Sequence, residues 1–410
     1  MQLTRRSLTL GTLAGAAATT LAPQGLFPEA LAATGASSEN PQVVLDWERI
    51  VFRTVYTDTA TPIPVGVPVL GFVSMAMHAA ATRSAHVGGS SETAAVATAA
   101  HDVLVHYYPG SAVRLAADLE TSLVGIDPPA RAKGGRIGGR AAACLLASRV
   151  GDHYLDPSFH YRKTAGPGVW QPNPPATDML APWLGSLRPL VLDRPVPVAG
   201  PYALASAAYA VEFDEVRRLG GVSSTERTGE QTATAQFFNS NSATMVGDAL
   251  IRYLETHPIG LLATSRMFAM IHAAMTDSAI RVWGLKRDVG FWRPSQAIAG
   301  ADTDGNPGTA TETGWAPLVP NPNYSDYVSG HAGLTGPAVE IIRRTLGEDT
   351  PLELRSVNSP SPRTYPHLSE LEYDAFHARI WSGLHFRRAM VDGYDIAHRT
   401  AERVMAAFDS

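Results

Sequence analysis

Lys286 and Arg293 stand seven positions apart in the stretch LKRDVGFWRP, with Pro294 directly behind. Lysine is scarce in this chain. Of 33 basic residues only Lys133, Lys163 and Lys286 are lysines, so the residue type at position 286 draws the eye. Farther along come Ser329-Gly330-His331, then Arg379, and then His385 after five intervening residues. These residue types suit a tetrahedral, multiply charged oxyanion. Arginine offers a planar fork for bidentate contact, and lysine adds a compact charge. A serine hydroxyl and a glycine amide at a helix start would add neutral donors beside the positive end of the helix dipole. The glycine would also let a ligand approach the backbone closely. Taken singly, each piece has a plainer reading: a capped helix, a surface arginine or a hydrogen-bonded core histidine. The composite is what predicts one oxyanion site.

Helices must position these groups, because apolar residues recur at three and four over most of the chain. ETAAVATAAHDVLVHYY, GGRAAACLLASRV and QTATAQFFNSNSATMVGDALIRYLETH each predict a helix, and ATSRMFAMIHAAMTDSAIRVWGLKR predicts the next. Gly290 ends that last one, leaving Lys286 near its C-terminal end, while Arg293 is biased toward an extended conformation by Pro294. Ser329 is the natural N-cap of a helix that stops at Gly347. Ser369 and Glu372 predict a capping box for the helix that carries Arg379. Ser382-Gly383 breaks that helix, which places His385 in the first turn of another. A Pro/Gly/Trp-rich connection between Pro157 and Pro201 is long enough to be functional or to wrap a domain. The expected fold is therefore all-α. It divides into an N-terminal helical region (34–230) with long loops and a C-terminal helical catalytic domain (231–410).

The bulk composition narrows the partners. The net charge of -5 carries no basic surplus that would neutralise nucleic acid. Residues 1–33 read as a twin-arginine export signal, with Arg5-Arg6, an apolar stretch from Leu8 to Ala22, and small residues for cleavage near Ala32 or Ala33. Removing Arg5, Arg6 and Glu29 leaves about -6 (-5, minus 2, plus 1). No later run of eighteen or more apolar residues predicts a membrane span. Cys144, the lone cysteine, excludes an internal disulfide and a thiolate cluster, and its Ala/Leu-rich setting predicts a small buried core residue.

The full order, Lys, six residues, Arg-Pro, then Ser-Gly-His, then Arg, five residues, His, resembles the signature shared by type 2 phosphatidic acid phosphatases, bacterial non-specific acid phosphatases and vanadium-dependent haloperoxidases. The motifs span residues 286–385, and the surrounding helices extend the resemblance to 231–410. It implies a four-helix-bundle-like core in that region. Lys286, Arg293, Ser329, Gly330 and Arg379 would bind vanadate or phosphate, and His331 would be the general acid/base. His385 would be the axial group, either ligand to vanadium or nucleophile toward phosphorus. The haloperoxidase branch implies vanadate as cofactor, with hydrogen peroxide, halide and a small organic acceptor as partners; the phosphatase branch implies a phosphohistidine at His385 and no cofactor. The length ahead of the motifs, the aromatics around them (Trp283, Phe291, Trp292, Tyr324, Tyr327, Trp381 and Phe386) and the stretch HAAMTDSAIRVWGLKRDVGFWRP favour the peroxidase. A homo-oligomer is compatible with either branch.

Two positions depart from the pattern. Val328 stands where proline usually precedes Ser-Gly-His, and Ala389 stands where an aspartate usually orients the second histidine. Asp392 lies roughly 10 Å along a helix from His385 at about 1.5 Å per residue, so a backbone carbonyl is the expected orienting group. Elsewhere, ADTDGNPG (301–308) predicts a turn more than a calcium loop. His101, His106, His153 and His160 read as loop or surface residues, His272 as a core histidine, and Asp277 with Arg281 as a structural i, i+4 pair.

Overall fold

The computed structural model describes residues 39–410, so the export signal at 1–33 lies outside the described residues. Thirteen α-helices account for most of the described chain, in keeping with the all-α expectation. The first five are α1 (Gln42–Phe52), α2 (Ile63–Ala85), α3 (Glu92–Tyr107), α4 (Ala112–Ser122) and α5 (Pro128–Arg149). The long connection follows, and after it come α6 (Ala207–Gly220), α7 (Gly229–Phe237), α8 (Ser242–Thr256), α9 (Leu261–Asp288) and α10 (Pro294–Ala299). The last are α11 (Gly330–Leu346), α12 (Leu368–Trp381) and α13 (Arg387–Asp409). Between α11 and α12, strands β1 (Leu352–Leu354) and β2 (Arg363–Tyr365) form one antiparallel hairpin, with Leu352 opposite Tyr365.

The helices form two bundles that share α9. Its N-terminal part packs with α2, which also packs on α3 and α5, while α9 also packs with α11 and α13. An apolar surface on both sides explains why 21 of the 28 residues of α9 are buried. The expected boundary at 230/231 falls within α7. By length and composition α2 could cross a membrane, yet 83% of its apolar window is buried inside the molecule, as a central core helix requires. On α5, Gly134 and Gly138 bring the backbone so close to α3 that a Cβ would lie 2.2 Å from Ser91 O or 2.3 Å from Ala95 O. That packing face continues through Ala142 and Leu145, so Cys144 falls off it and is exposed rather than buried.

The stretch expected as one long helix from Gln231 breaks in two. Asn241 caps α8 by accepting from Ala243 N–H at 3.1 Å, and its side chain thereby competes with helix continuation. The capping box at Ser369 does not form either. Ser369 N–H donates to Glu348 at 2.7 Å, and Glu372 instead accepts from Arg343 at 2.6 Å and pairs with His398 at 2.7 Å. A tertiary ion network has outcompeted the local motif.

Candidate oxyanion site

Each motif delivers its side chain from the end of an element. Lys286 leaves the last turn of α9, and Arg293 is the N-cap of α10 with the extended ψ of 156° that a following proline favours. Ser329 caps α11, its Oγ accepting from Ala332 N–H at 3.4 Å, with Gly330 and His331 opening the helix. Arg379 sits in the last turn of α12. Gly383, at φ 74°, turns the chain sharply, and His385 follows in the loop two residues before α13, not in its first turn.

These groups meet. Arg293 Nη1 donates to His385 Nε2 at 3.3 Å and to Leu384 O at 2.7 Å, while its Nε donates to Tyr324 O at 2.9 Å. Lys286 Nζ donates to Ser325 O at 2.8 Å and Asp326 O at 3.1 Å. Arg379 Nη1 donates to Phe238 O at 3.2 Å. The Tyr324 ring lies under both cations, 4.8 Å from Lys286 Nζ and 5.1 Å from the Arg293 guanidinium carbon. Trp283 closes against Gly330, where a Cβ would lie 3.2 Å from the indole, so a larger residue would push the wall aside. Lys286, Arg293, Arg379 and His385 are buried, and His331 is half-buried.

His385 is oriented by a carboxylate, not by the backbone carbonyl expected from the sequence. Its Nδ1 lies 2.7 Å from Asp326 Oδ1, and both side chains are at most 2% exposed. Asp326 belongs to the loop before α11, so the orienting group comes from a different element from the position occupied by Ala389. Asp392 is engaged elsewhere, accepting from Tyr327 Oη and pairing with Arg388 at 3.0 Å. The proton count on His385 then follows. Nδ1–H donates to the carboxylate and Nε2, facing the Arg293 donor, keeps its lone pair. His331 has the opposite arrangement: Nε2 lies 3.3 Å from Ser240 O, and a carbonyl can only accept, so Nδ1 carries the free lone pair.

The electrostatics show a site short of negative charge. Burial, and then Arg293, pushes Lys286 well below the usual lysine range, and burial brings Arg379 down to about 10. Burial likewise holds His331 and His385 well below the usual imidazole range, His385 being further depressed by Arg293, Lys286, Arg379 and His331. Asp326 is pushed up to about 7 by burial, against the pull of Arg293 and Lys286. Three cations therefore face one carboxylate. Arg293 Nη2 and Arg379 Nε are buried with no hydrogen-bond partner, and such donors are costly unless a ligand receives them.

A family model described as the VCPO second helical-bundle domain matches residues 266–410. The vanadium chloroperoxidase of Curvularia inaequalis is 27% identical over 182 residues, 36% of this chain and 29% of that protein's length. The segment 266–410 is thus similar to a domain of the vanadium chloroperoxidases, on the vanadium side of the resemblance carried by the motifs. The aligned stretch spans less than a third of the Curvularia relative. In fold, the chain is similar to a bacterial vanadium-dependent iodoperoxidase, with TM-score 0.74, 19% identity, and coverage of 90% of this chain and 98% of that one. It is also similar in fold to an apo-type and a holo-type bacterial vanadium-dependent chloroperoxidase. The apo form has TM-score 0.67 and 16% identity over 85% of this chain and 94% of the other; the holo form has 0.64 and 15% over 95% and 97%.

Sequence reasoning missed three contributors to this site. Asp326 carries no motif beyond lying five positions before His331. The carbonyls of Phe238 and Ser240, which hold Arg379 and His331, come from the unforeseen break between α7 and α8. The signal for that break was present in Asn239-Ser240-Asn241, residues that favour caps and turns. The Asp277–Arg281 pair does not form. Asp277 accepts instead from the Leu190, Val191 and Leu192 amides at 2.7, 2.9 and 2.8 Å, and Arg281 donates to Val196 O at 2.8 Å. The 301–308 stretch is a turn, as expected, with Asp304 accepting from Asn306 N–H at 2.7 Å. His272 is a core histidine on Ser74, and His101, His153 and His160 pair with nearby aspartates at 2.6–3.0 Å.

Proposed function

We propose that this chain is an exported, vanadate-dependent haloperoxidase, converting halide, hydrogen peroxide and a proton into hypohalous acid and water, with a small organic acceptor then halogenated. The observation that carries the reading is the set of buried cations, two with unpartnered nitrogens, gathered around a histidine whose Nε2 Asp326 leaves unprotonated, its lone pair facing Arg293 Nη1. A multiply charged tetrahedral oxyanion answers both the charge excess and the orphaned donors. Lys286, Arg293, Arg379, Ser329 and the Gly330 amide would hold vanadate, with His385 Nε2 as its protein ligand. Bound there, vanadate supplies a Lewis-acidic centre that activates peroxide toward attack by halide.

The chain's own residues supply the rest. Asp326 fixes the His385 tautomer by holding Nδ1–H, the arrangement that raises the basicity of a ligating imidazole. His331, whose Nδ1 carries the free lone pair, would take a proton from hydrogen peroxide and return it to the departing oxygen. Trp283 and Tyr324 line the cradle and would exclude water from it, which strengthens each electrostatic contact within it. The presence of both bundles, similar in fold to vanadium-dependent iodo- and chloroperoxidases, supports the peroxidase branch. The twin-arginine start supports export.

The same lone pair on His385 could attack phosphorus, which makes a phosphomonoesterase with a phosphohistidine intermediate the second reading. One paired assay separates them. Metal-free protein loaded with orthovanadate should brominate a β-diketone dye in the presence of peroxide. Brisk hydrolysis of an aryl phosphate with no vanadate-dependent bromination would decide for the phosphatase, and neither activity would leave an oxyanion-binding protein.

A further inference from the structure

A second cleft, of about 310 Å³, runs along α9 on the face formed by Asp277, Ile280, Arg281, Gly284 and Asp288. The 185–196 segment and Thr400 of α13 form its other walls. Lys286 does not lie on that face, so the cleft is separate from the oxyanion cradle. Its volume sits at the lower end of small-ligand pockets, roughly 300–1,000 Å³.

Each carboxylate along it is already engaged. Asp277 spends both oxygens on the three amides at 190–192, Asp288 takes Arg287 at 2.9 Å, and Asp193 lies 3.7 Å from Arg194. Arg281 makes one bond, from Nε to Val196 O, and forms no carboxylate pair among the described residues. Burial draws its pKa down, with Tyr327 and Asp288 opposing, as expected of a guanidinium without a close counter-ion. Across the cleft Thr400 is 1% exposed and its hydroxyl has no partner, although a helical threonine can commonly bond the carbonyl a turn back. Leu187, Leu192, Val196 and Ile280 supply an apolar wall.

We propose that this cleft binds a small amphipathic carboxylate, its carboxylate on Arg281 and Thr400 and its apolar body on Leu187, Leu192, Val196 and Ile280. One guanidinium and one hydroxyl balance a single negative charge, whereas the three aspartates along the cleft oppose a dianion such as phosphate. The site is independent of the haloperoxidase reading.

The test is calorimetric titration of the full chain with benzoate, orthovanadate being present at saturation so that the cradle is filled. Benzoate should bind, and benzyl alcohol, its neutral counterpart, should bind at least about tenfold more weakly. Arg281→Gln should weaken benzoate about tenfold and Thr400→Val about threefold. Leu192→Trp, which fills the cleft and keeps the guanidinium, should abolish binding and guards against Arg281→Gln failing to fold. Absence of benzoate binding, equal affinity for benzyl alcohol, indifference to Leu192→Trp, or competition between benzoate and orthovanadate would each overturn the assignment.

Discussion

Helix α9 carries two buried polar clusters, one around His272 in the first bundle and one around Lys286 in the second, and they are built on opposite principles. In the first, Ser74 Oγ donates to Glu48 Oε1 at 2.8 Å and lies 2.8 Å from His272 Nδ1, which must then donate to it. Burial pushes Glu48 up to about 8 and His272 down to about 3, so at neutral pH both are uncharged. That cluster ties α1, α2 and α9 together without net charge, although Glu48 Oε2 and His272 Nε2 are buried without hydrogen-bond partners. In the second, Lys286, Arg293 and Arg379 face Asp326 alone, and two guanidinium nitrogens are left without acceptors. A buried cluster of unlike composition can be neutral and structural; a buried cluster with an excess of one sign is built for a partner of the other sign. Burial by itself therefore does not mark the site. Charge imbalance does.

The comparison can be broken most severely at His385. His385→Ala removes the proposed Nε2 ligand and should lower vanadate-dependent bromination by roughly 10²–10⁴-fold, with the circular-dichroism spectrum unchanged. Retention of activity within a few-fold would mean that the imbalance does not serve catalysis. Next in size is Asp326→Asn, which keeps the shape but weakens the hold on Nδ1–H. It should cost about 10–100-fold in vanadate affinity, read by equilibrium dialysis, and Asp392→Asn should not.

The third effect is thermodynamic. Orthovanadate or phosphate at a hundred times its Kd should stabilise the protein by about 2.7 kcal/mol, read in chemical denaturation, and Arg379→Ala should lose most of that gain. Smallest is the contrast at the other cluster. Glu48 has a folded pKa above its unfolded value, so its contribution is fully present below about pH 4.5 and is lost as pH rises toward 8. His272 acts in the reverse sense, with stability lost as pH falls from about 6.5 toward 3. Glu48→Gln cannot ionise. Its melting temperature should gain on the wild type between about pH 5 and pH 8, while bromination is unaltered. A parallel pair of pH–stability curves would show that Glu48 does not titrate on unfolding.

Much of this was legible in the residues. Helical periodicity located α9 and α11, Gly347 marked the end of α11, and the pre-proline bias placed Arg293 outside the helices. The ranking of Asp392 as too distant from His385 agrees with its engagement to Tyr327 and Arg388. What could not be read were contacts whose partners compete. Glu372 had a local role available as a capping residue and a tertiary one with Arg343 and His398, and the tertiary one won. Asp277 had Arg281 one turn away, yet three backbone amides from the long connection captured it. Cys144 lay in an apolar run whose inward face was set by glycines fitting against α3.

Residue type and spacing alone determined that this chain is helical and that its cations and imidazoles suit an oxyanion, because charge, hydrogen-bonding capacity and helical period are properties of the residues themselves. Only the tertiary structure decided that Asp326 orients His385, that Ser240 holds His331 and that two guanidinium nitrogens stay unpartnered. Those outcomes depend on which donor meets which acceptor after distant segments have packed. A carboxylate has no preferred partner until burial removes water as the alternative.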